Sequence, residues 1–142
     1  MARIELSSVS DINKFEKSAA HRAKELFEKA EWIVEEEPRV GATRPDLVVQ
    51  SPDGATYVVD LKAGRGSAHF GSVAQVATLR EEYQDVREVE DVRGLLVTNM
   101  ATEENVLEAA KSLGIQVVPV RGGPSEMAQE LFAQIQRDEL EK

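Results

Sequence analysis

Two apolar runs joined by a short turn sequence constrain the fold of this chain more than any other feature. The runs are LVVQ and ATYVVDLKA, and Pro52-Asp53-Gly54 lies between them. Pro, Asp and Gly in succession are typical of the turns that connect antiparallel strands. The segment therefore predicts a β-hairpin of two core strands, and it makes neighbours of the side chains at the open end of that hairpin.

Periodic patterns on both sides of the hairpin predict a single α/β domain over residues 1–142. Apolar residues at three- and four-residue steps predict helices over 11–30 and 72–86, a third from a Thr102 cap to Gly114, and a fourth from Ser125 to about 140. Further strands are predicted at 31–34, 93–99 and 115–120, the last at an edge because of Pro119. This order predicts a mixed central β-sheet flanked by helices, with an αβββαβ core and an αβα extension.

The composition limits the classes of protein to consider. The net charge is −9 and there is no cysteine, which excludes disulfides and thiolate metal sites and suits a reducing, cytoplasmic location. No run reaches the roughly 18 apolar residues of a membrane span, and no signal peptide is evident, so no membrane partner is expected. The acidic total argues against nucleic acid as a partner, but a local basic patch can still attract a polyanion.

Three charged residues stand at the ends of the two core runs. Asp60 and Lys62 share one face of their strand, and pairing around the turn brings Asp46 towards Asp60. Carboxylates suit Mg²⁺ or Mn²⁺, which activates water for attack on a phosphate, and Lys62 would orient that water or neutralise charge. The plainer alternative is a strand-end ion pair, with Asp46 as a turn former after Pro45. The cost of burying charge without a purpose favours the metal site.

Pro45-Asp46 followed by Asp60-Leu61-Lys62, in this order of elements, resembles the PD-(D/E)xK nuclease superfamily. Residues 93–120 are similar to the matching part of Mrr-type endonucleases, and archaeal Holliday-junction resolvases share the core; the resemblance covers roughly residues 10–120. It implies a restriction-endonuclease-like fold and a metal-dependent nuclease that hydrolyses DNA phosphodiester bonds. It also implies that Asp46 and Asp60 are metal ligands and Lys62 is the catalytic lysine.

The resemblance further implies an acidic residue from the first helix. Glu16 lies about 40° from the centre of the apolar face, whereas Glu25 and Glu28 point away from it. Glu16 is thus the predicted third carboxylate and metal ligand, the alternative being a rim carboxylate paired with a Lys. Gln75 matches a Gln that many relatives carry on the second helix, where its amide would hold a water or a phosphate oxygen. Its alternative is a solvated helix face.

Basic residues concentrate in the loops around these motifs. From residue 39 to residue 80 there are five Arg or Lys residues, three Asp and no Glu. This local balance predicts a DNA-binding surface despite the acidic total. The alternative for the Gly-rich segment 64–72 is a flexible surface loop. The predicted contacts are Arg39, Arg44, Arg65, His69 and Arg80.

Three functions for the whole chain stay open at this point. They are an active nuclease, a nuclease-fold nucleic-acid-binding or regulatory module without activity, and an acidic protein-interaction domain. The small size predicts a homodimer or a component of a larger nuclease system. Met127, Leu131 and Ile135 form an apolar stripe on the last helix, which would serve a dimer contact or pack on the chain's own sheet.

Overall fold

The structure, a computed structural model, describes residues 9–64 and 66–141. Its helices and strands follow the predicted order, which confirms the αβββαβ core and the αβα extension. The elements are α1 (Val9–Lys29), β1 (Ile33–Glu36), β2 (Leu47–Gln50), β3 (Thr56–Lys62), α2 (Phe70–Arg87), β4 (Val92–Thr98), α3 (Glu104–Leu113), β5 (Ile115–Pro119) and α4 (Pro124–Leu140).

One five-stranded sheet runs in the order β1-β2-β3-β4-β5. The first three strands are antiparallel and the last three are parallel, so β3 is the strand at which the direction changes. The predicted hairpin is present, with Gln50 paired to Thr56 and Gly54 in the left-handed region at a φ of 95°. Pro119 ends the edge strand β5, as predicted.

Helices cover both faces of the sheet, and β3 and β4 accordingly bury side chains on both of their sides. Tyr57 and Leu61 pack in a core cluster with Phe27 of α1 and Leu131 of α4. On the opposite face, Val58 belongs to a smaller cluster against α2. A charged side chain placed on either face of β3 is therefore enclosed, unless it lies at the end of the strand.

One detail of the sequence-based prediction is wrong. The first residue of α3 is Glu104, and Glu103 rather than Thr102 occupies the N-cap without a capping side-chain hydrogen bond. Of the two alternatives for the α4 stripe, packing within the chain is confirmed, because Met127, Leu131 and Ile135 are fully buried in the main core cluster, which excludes the stripe as a dimer contact. Within the two described ranges, none of the helices has the length and apolar character for crossing a lipid bilayer.

Candidate metal centre

The register of the hairpin brings two carboxylates together. Leu47 pairs with Val59, so Asp46, the residue before β2, lies across from Asp60. The Leu61 backbone N–H donates to Asp46 Oδ2 at 2.7 Å. On the same face of β3, Lys62 Nζ lies 3.6 Å from Asp60 Oδ2, which is an ion-pair distance but longer than a good hydrogen bond. The structure thus places Asp46, Asp60 and Lys62 at one end of the sheet.

The two aspartates carry more negative charge than their surroundings neutralise. Only 6% of the Asp60 side chain is exposed, and its Oδ2 atom has no hydrogen-bond partner among the described residues. Burial raises the pKa of both carboxyls, and the charge of Asp60 raises the pKa of Asp46 further. The Lys62 ammonium opposes these shifts but is itself 31% exposed, so water shares its charge. The pair is therefore a strong candidate for binding a cation.

Glu16 reaches the same strand end from α1. Its Oε2 atom accepts a hydrogen bond of 2.9 Å from the Ala63 backbone N–H. Because β2 does not extend beyond Asp46, the Leu61 and Ala63 N–H groups have no strand partner, and carboxylates take its place. Burial raises the pKa of Glu16, and Asp46 contributes in the same direction. Glu16 therefore belongs to the same electrostatic group as the two aspartates.

A small cavity of about 120 Å³ opens between α1 and the start of β2. Two charged residues of its lining, Lys17 and Glu37, were not predicted from the sequence. Glu37 has a φ of 48°, an unusual backbone conformation for a residue with a side chain, and its N–H donates to the Asp46 carbonyl at 3.0 Å. Lys17 could have been predicted from its position next to Glu16 in the sequence. No feature of the sequence indicates Glu37. The full lining is Asn13, Glu16, Lys17, Ala20, Glu37 and Asp46.

Asn99 is a second overlooked residue, and it fixes the chain after β3. Its Oδ1 atom accepts from the Gly64 N–H at 3.1 Å, and its own N–H donates to the Lys62 carbonyl at 3.3 Å. Its signal was available in the sequence, where Thr98-Asn99 directly follows an apolar strand. Parallel strands bring their carboxyl ends to the same edge of a sheet, so a polar residue after β4 reaches the end of β3.

The other predicted residues are more dispersed. Gln75 is exposed on α2, and its side chain makes no hydrogen bond with any residue in the described ranges. Arg80 donates to the carbonyls of Leu113 and Gly114, and so closes the C-terminus of α3 near the opposite edge of the sheet. His69 is exposed at the N-cap position of α2.

The three remaining predicted basic residues differ in what the structure describes. Arg65 lies outside the described residues. Arg39 and Arg44 line one cavity of about 500 Å³, formed by the loop between β1 and β2. Since Arg44 is only two residues before Asp46, this cavity belongs to the neighbourhood of the acidic pair.

The two aspartates can supply the carboxylate ligands that a divalent cation needs. No group of three or more Asp, Glu or His residues in ranges 9–64 and 66–141 encloses a possible metal position. Glu16 is therefore not part of a preformed three-ligand cluster. Mg²⁺, however, is commonly held by one or two carboxylates, with water and substrate phosphates in its other positions. Asp46 and Asp60 fit this role, since they are adjacent and insufficiently neutralised, with Asp60 buried and Asp46 half-buried.

Comparison with known proteins gives information on the fold. No family model matches the chain, and no curated protein matches it. A repair endonuclease from Pyrococcus abyssi matches with a TM-score of 0.57 and 18% identity, over 84% of this chain and 50% of that one. EndoMS in complex with dsDNA matches with a TM-score of 0.56 and 20% identity, over 85% of this chain and 48% of that one.

A third match is the protein VC1899 from Vibrio cholerae, with a TM-score of 0.61 and 12% identity, over 93% of this chain and 36% of that one. The chain thus spans half or less of the length of these three proteins. The similarity in structure is nevertheless consistent across them, and two of them are described as endonucleases or as bound to DNA. The chain has a restriction-endonuclease-like fold, as the order of its motifs and elements predicted.

Proposed function

We propose that this chain is a metal-dependent endonuclease that hydrolyses DNA phosphodiester bonds, with Mg²⁺ or Mn²⁺ at Asp46 and Asp60. The observation that carries the proposal is the acidic pair of buried Asp60 and half-buried Asp46 beside Lys62. Asp60 keeps a carboxylate oxygen without a hydrogen bond among the described residues, 3.6 Å from the Lys62 ammonium. Such an arrangement is unfavourable for stability alone, and functional sites are where such arrangements are retained.

The proposed reaction adds water across one P–O ester bond. The water oxygen bonds to phosphorus, the ester bond breaks, and the leaving oxygen takes a proton. When bound, the metal would polarise the phosphate and lower the pKa of the attacking water. Asp46 and Asp60 would bind the metal, and Lys62 would hold the water by hydrogen bonding and counter the charge that grows on the phosphate oxygens.

Glu16 and Gln75 have different parts in this proposal. Glu16 would act from beside the acidic pair, either as a further ligand or by holding a metal-bound water, since its Oε2 atom is shared with the Ala63 N–H. Gln75 would contact a water or phosphate only if the substrate lies along α2, where its amide is exposed. The DNA class of substrate is supported by the fold shared with EndoMS, which was solved with dsDNA.

A cleavage assay tests this function directly. Labelled duplex, single-stranded, flap and four-way-junction DNA, and RNA, are incubated with Mg²⁺, Mn²⁺ or EDTA. Lys62→Met serves as the inactive variant, and Lys111→Met, at an exposed position on α3, is the matched control. We expect cleavage of DNA that needs metal, survives in the control and is lost in the Lys62 variant. Cleavage that persists in EDTA, or in Lys62→Met, would refute the proposed centre.

One observation favours a second candidate, a DNA-binding module without activity. The described residues contain no preformed cluster of three metal-binding side chains. If this candidate is correct, the chain binds DNA without cleaving it under every metal condition. Isothermal titration with Mn²⁺ separates the two, because only the nuclease proposal requires an ion that binds to wild type and not to Asp60→Asn.

A homodimer stays a prediction. A two-fold axis would present two centres to the opposite strands of a duplex. With the α4 stripe buried, the contact would have to use another surface. Sedimentation of the free chain and of its DNA complex measures the number of copies in each.

A further inference from the structure

We infer that the loop between β1 and β2 binds a substrate phosphate other than the one that is hydrolysed. We call residues 39–44 the arginine loop, because Arg39 and Arg44 stand at its two ends. This inference rests on the proposed function and deepens it, since it adds a subsite for the DNA backbone and a minimum length for the substrate.

The arginine loop is a tight hairpin with a defined backbone. Val40 and Thr43 exchange backbone hydrogen bonds in both directions, each at 2.9 Å, and Thr43 Oγ1 also donates to the Val40 carbonyl at 2.8 Å. Gly41 supplies the left-handed conformation that such a short turn needs, with a φ of 60°. Arg39 and Arg44 directly flank this hydrogen-bonded pair, so the loop holds their backbones opposite each other.

The loop is also attached to the body of the protein. Val40 is 1% exposed and packs with Tyr83 of α2. On α2, Glu82 Oε1 accepts from the Ala42 N–H at 3.3 Å. The loop is therefore anchored on both sides of its tip, and the two arginines start from fixed positions. A binding group that is already ordered loses less entropy when it binds.

The charge of the two arginines is not neutralised within the described part of the chain. Both side chains are exposed, and neither forms an ion pair with a described residue. Arg87, in contrast, forms a two-pronged pair with Glu35. Arg39 and Arg44 line the same cavity of about 500 Å³, whose other described lining is Gly41, Ala42 and Thr43, so no carboxylate is among these residues.

This chemistry suits a phosphate of a polynucleotide. A planar guanidinium offers parallel N–H donors that match two phosphate oxygens, and two such groups in one cavity surround the anion. In a chain with a net charge of −9, two arginines that share a cavity and form no ion pair with a described residue are a local exception. Retention of this pair next to the acidic centre is what binding of a polyanion requires.

The position of the loop sets which phosphate it reaches. Arg44 precedes Asp46 by two residues, a span of at most about 7 Å along an extended chain. Phosphates of one strand follow each other at about 3.4 Å along the duplex axis, so the loop lies close enough to reach a phosphate near the cleaved bond on the same strand. A substrate without a phosphodiester at this position should bind more weakly.

The test compares the salt dependence of DNA binding. Fluorescence anisotropy is measured with the DNA that wild type cleaves best, in Lys62→Met as an uncleaving background. Arg39→Gln with Arg44→Gln is compared with Lys111→Gln and Arg137→Gln, which change the net charge equally but lie in the last turns of α3 and α4. One lost phosphate contact lowers the slope of log K against log salt by about 0.9 for duplex DNA. We expect this decrease in the arginine-loop variant and a much smaller one in the control.

Removing the charge of one DNA phosphate at a time locates the phosphate that the arginine loop contacts. A single methylphosphonate, moved along the strand, should weaken binding to the background protein at one linkage near the cleaved bond and have no further effect on the arginine-loop variant. An equal change of slope in the control, or a neutral linkage that weakens both proteins equally, overturns the inference while leaving the nuclease intact. If the wild-type protein neither binds nor cleaves nucleic acid, the proposed function itself fails.

Discussion

Replacing Asp60 with Asn is expected to stabilise the metal-free protein at alkaline pH while abolishing its activity. Asp60 is almost fully buried, lies across from Asp46 and leaves Oδ2 without a hydrogen bond among the described residues. Asparagine has nearly the same shape, removes one of the two negative charges and offers an N–H₂ donor to the remaining carboxylate. Functional sites are often stabilised by mutations that inactivate them.

The expected magnitude follows from two opposing effects. A buried acceptor without a partner costs about 1–3 kcal/mol, and more when it is charged. The substitution also removes the ion pair with Lys62, but that ammonium is 31% exposed, and exposed pairs contribute about 0–1 kcal/mol. The gain is larger than the loss, so we expect the free energy of unfolding to rise by up to about 3 kcal/mol at pH 8. For a chain of this size that corresponds to a rise in Tm of up to roughly 10 °C.

The effect must depend on pH with a definite sign. The pKa of Asp46 is raised from 3.8 to about 8, chiefly by burial and then by the charge of Asp60. The folded state therefore binds protons more tightly than the unfolded chain. The stability that the folded state gains from the proton on Asp46 is complete below about pH 4 and is lost as the pH rises towards 8. At pH 5 Asp46 is largely protonated and no longer repels the Asp60 carboxylate, so the advantage of the Asn variant should shrink there.

Urea unfolding at pH 5 and pH 8, in EDTA and in Mn²⁺, measures all of these effects. Asp53→Asn, in the exposed hairpin turn, is the control with the same change of charge. In Mn²⁺ the wild type should recover stability and the Asp60 variant should not, because only the wild type keeps both ligands. The reasoning is refuted if Asp60→Asn is less stable than wild type at pH 8, or if its advantage is the same at both pH values.

Three further substitutions test separate parts of the structure. Lys62→Met should lower the cleavage rate at least about 10²-fold without weakening DNA binding, and a loss of binding of the same size would assign the lysine to affinity instead. Gly94→Ala should destabilise the fold by about 1–3 kcal/mol in urea unfolding, because its new Cβ would lie 3.0 Å from Val76 Cγ1; unchanged stability would show that this contact relaxes freely. Arg80→Gln should cost about 0.5–1.5 kcal/mol, since it removes the bonds to the end of α3 at Gly114, and should leave DNA affinity unchanged; weaker DNA binding would instead support the contact predicted from the sequence.

Local patterns in the sequence were sufficient to predict the hairpin and the two aspartates at its open end. Pro52-Asp53-Gly54 predicted the turn, and a two-residue alternation then required Asp46 and Asp60 to meet at the other end. The parallel half of the sheet followed from apolar runs that alternate with helical periods. These features depend on residues that are close together in the chain or that repeat regularly, which is why they can be recognised without a structure.

Contacts between distant segments were not predictable in the same way. Nothing around Arg80 signals that it closes α3 thirty residues later, and nothing around Glu82 signals that it holds the arginine loop. Both depend on how α2 lies across the sheet. Asn99 was predictable in part. The sequence shows that it follows a parallel strand, but its contact with Gly64 depends on the register between β3 and β4.

The change of strand direction at β3 also has a consequence for folding kinetics. Gln50 and Thr56 are partners only six residues apart, whereas Asp60 and Leu96 pair across a loop six times longer. Short loops close faster than long ones, so the antiparallel hairpin should form before β4 joins it. The two aspartates are then brought together early, while water still surrounds them. Their repulsion would grow as β4 and α2 exclude that water, and the last step of folding should be slowest in alkaline, metal-free solution.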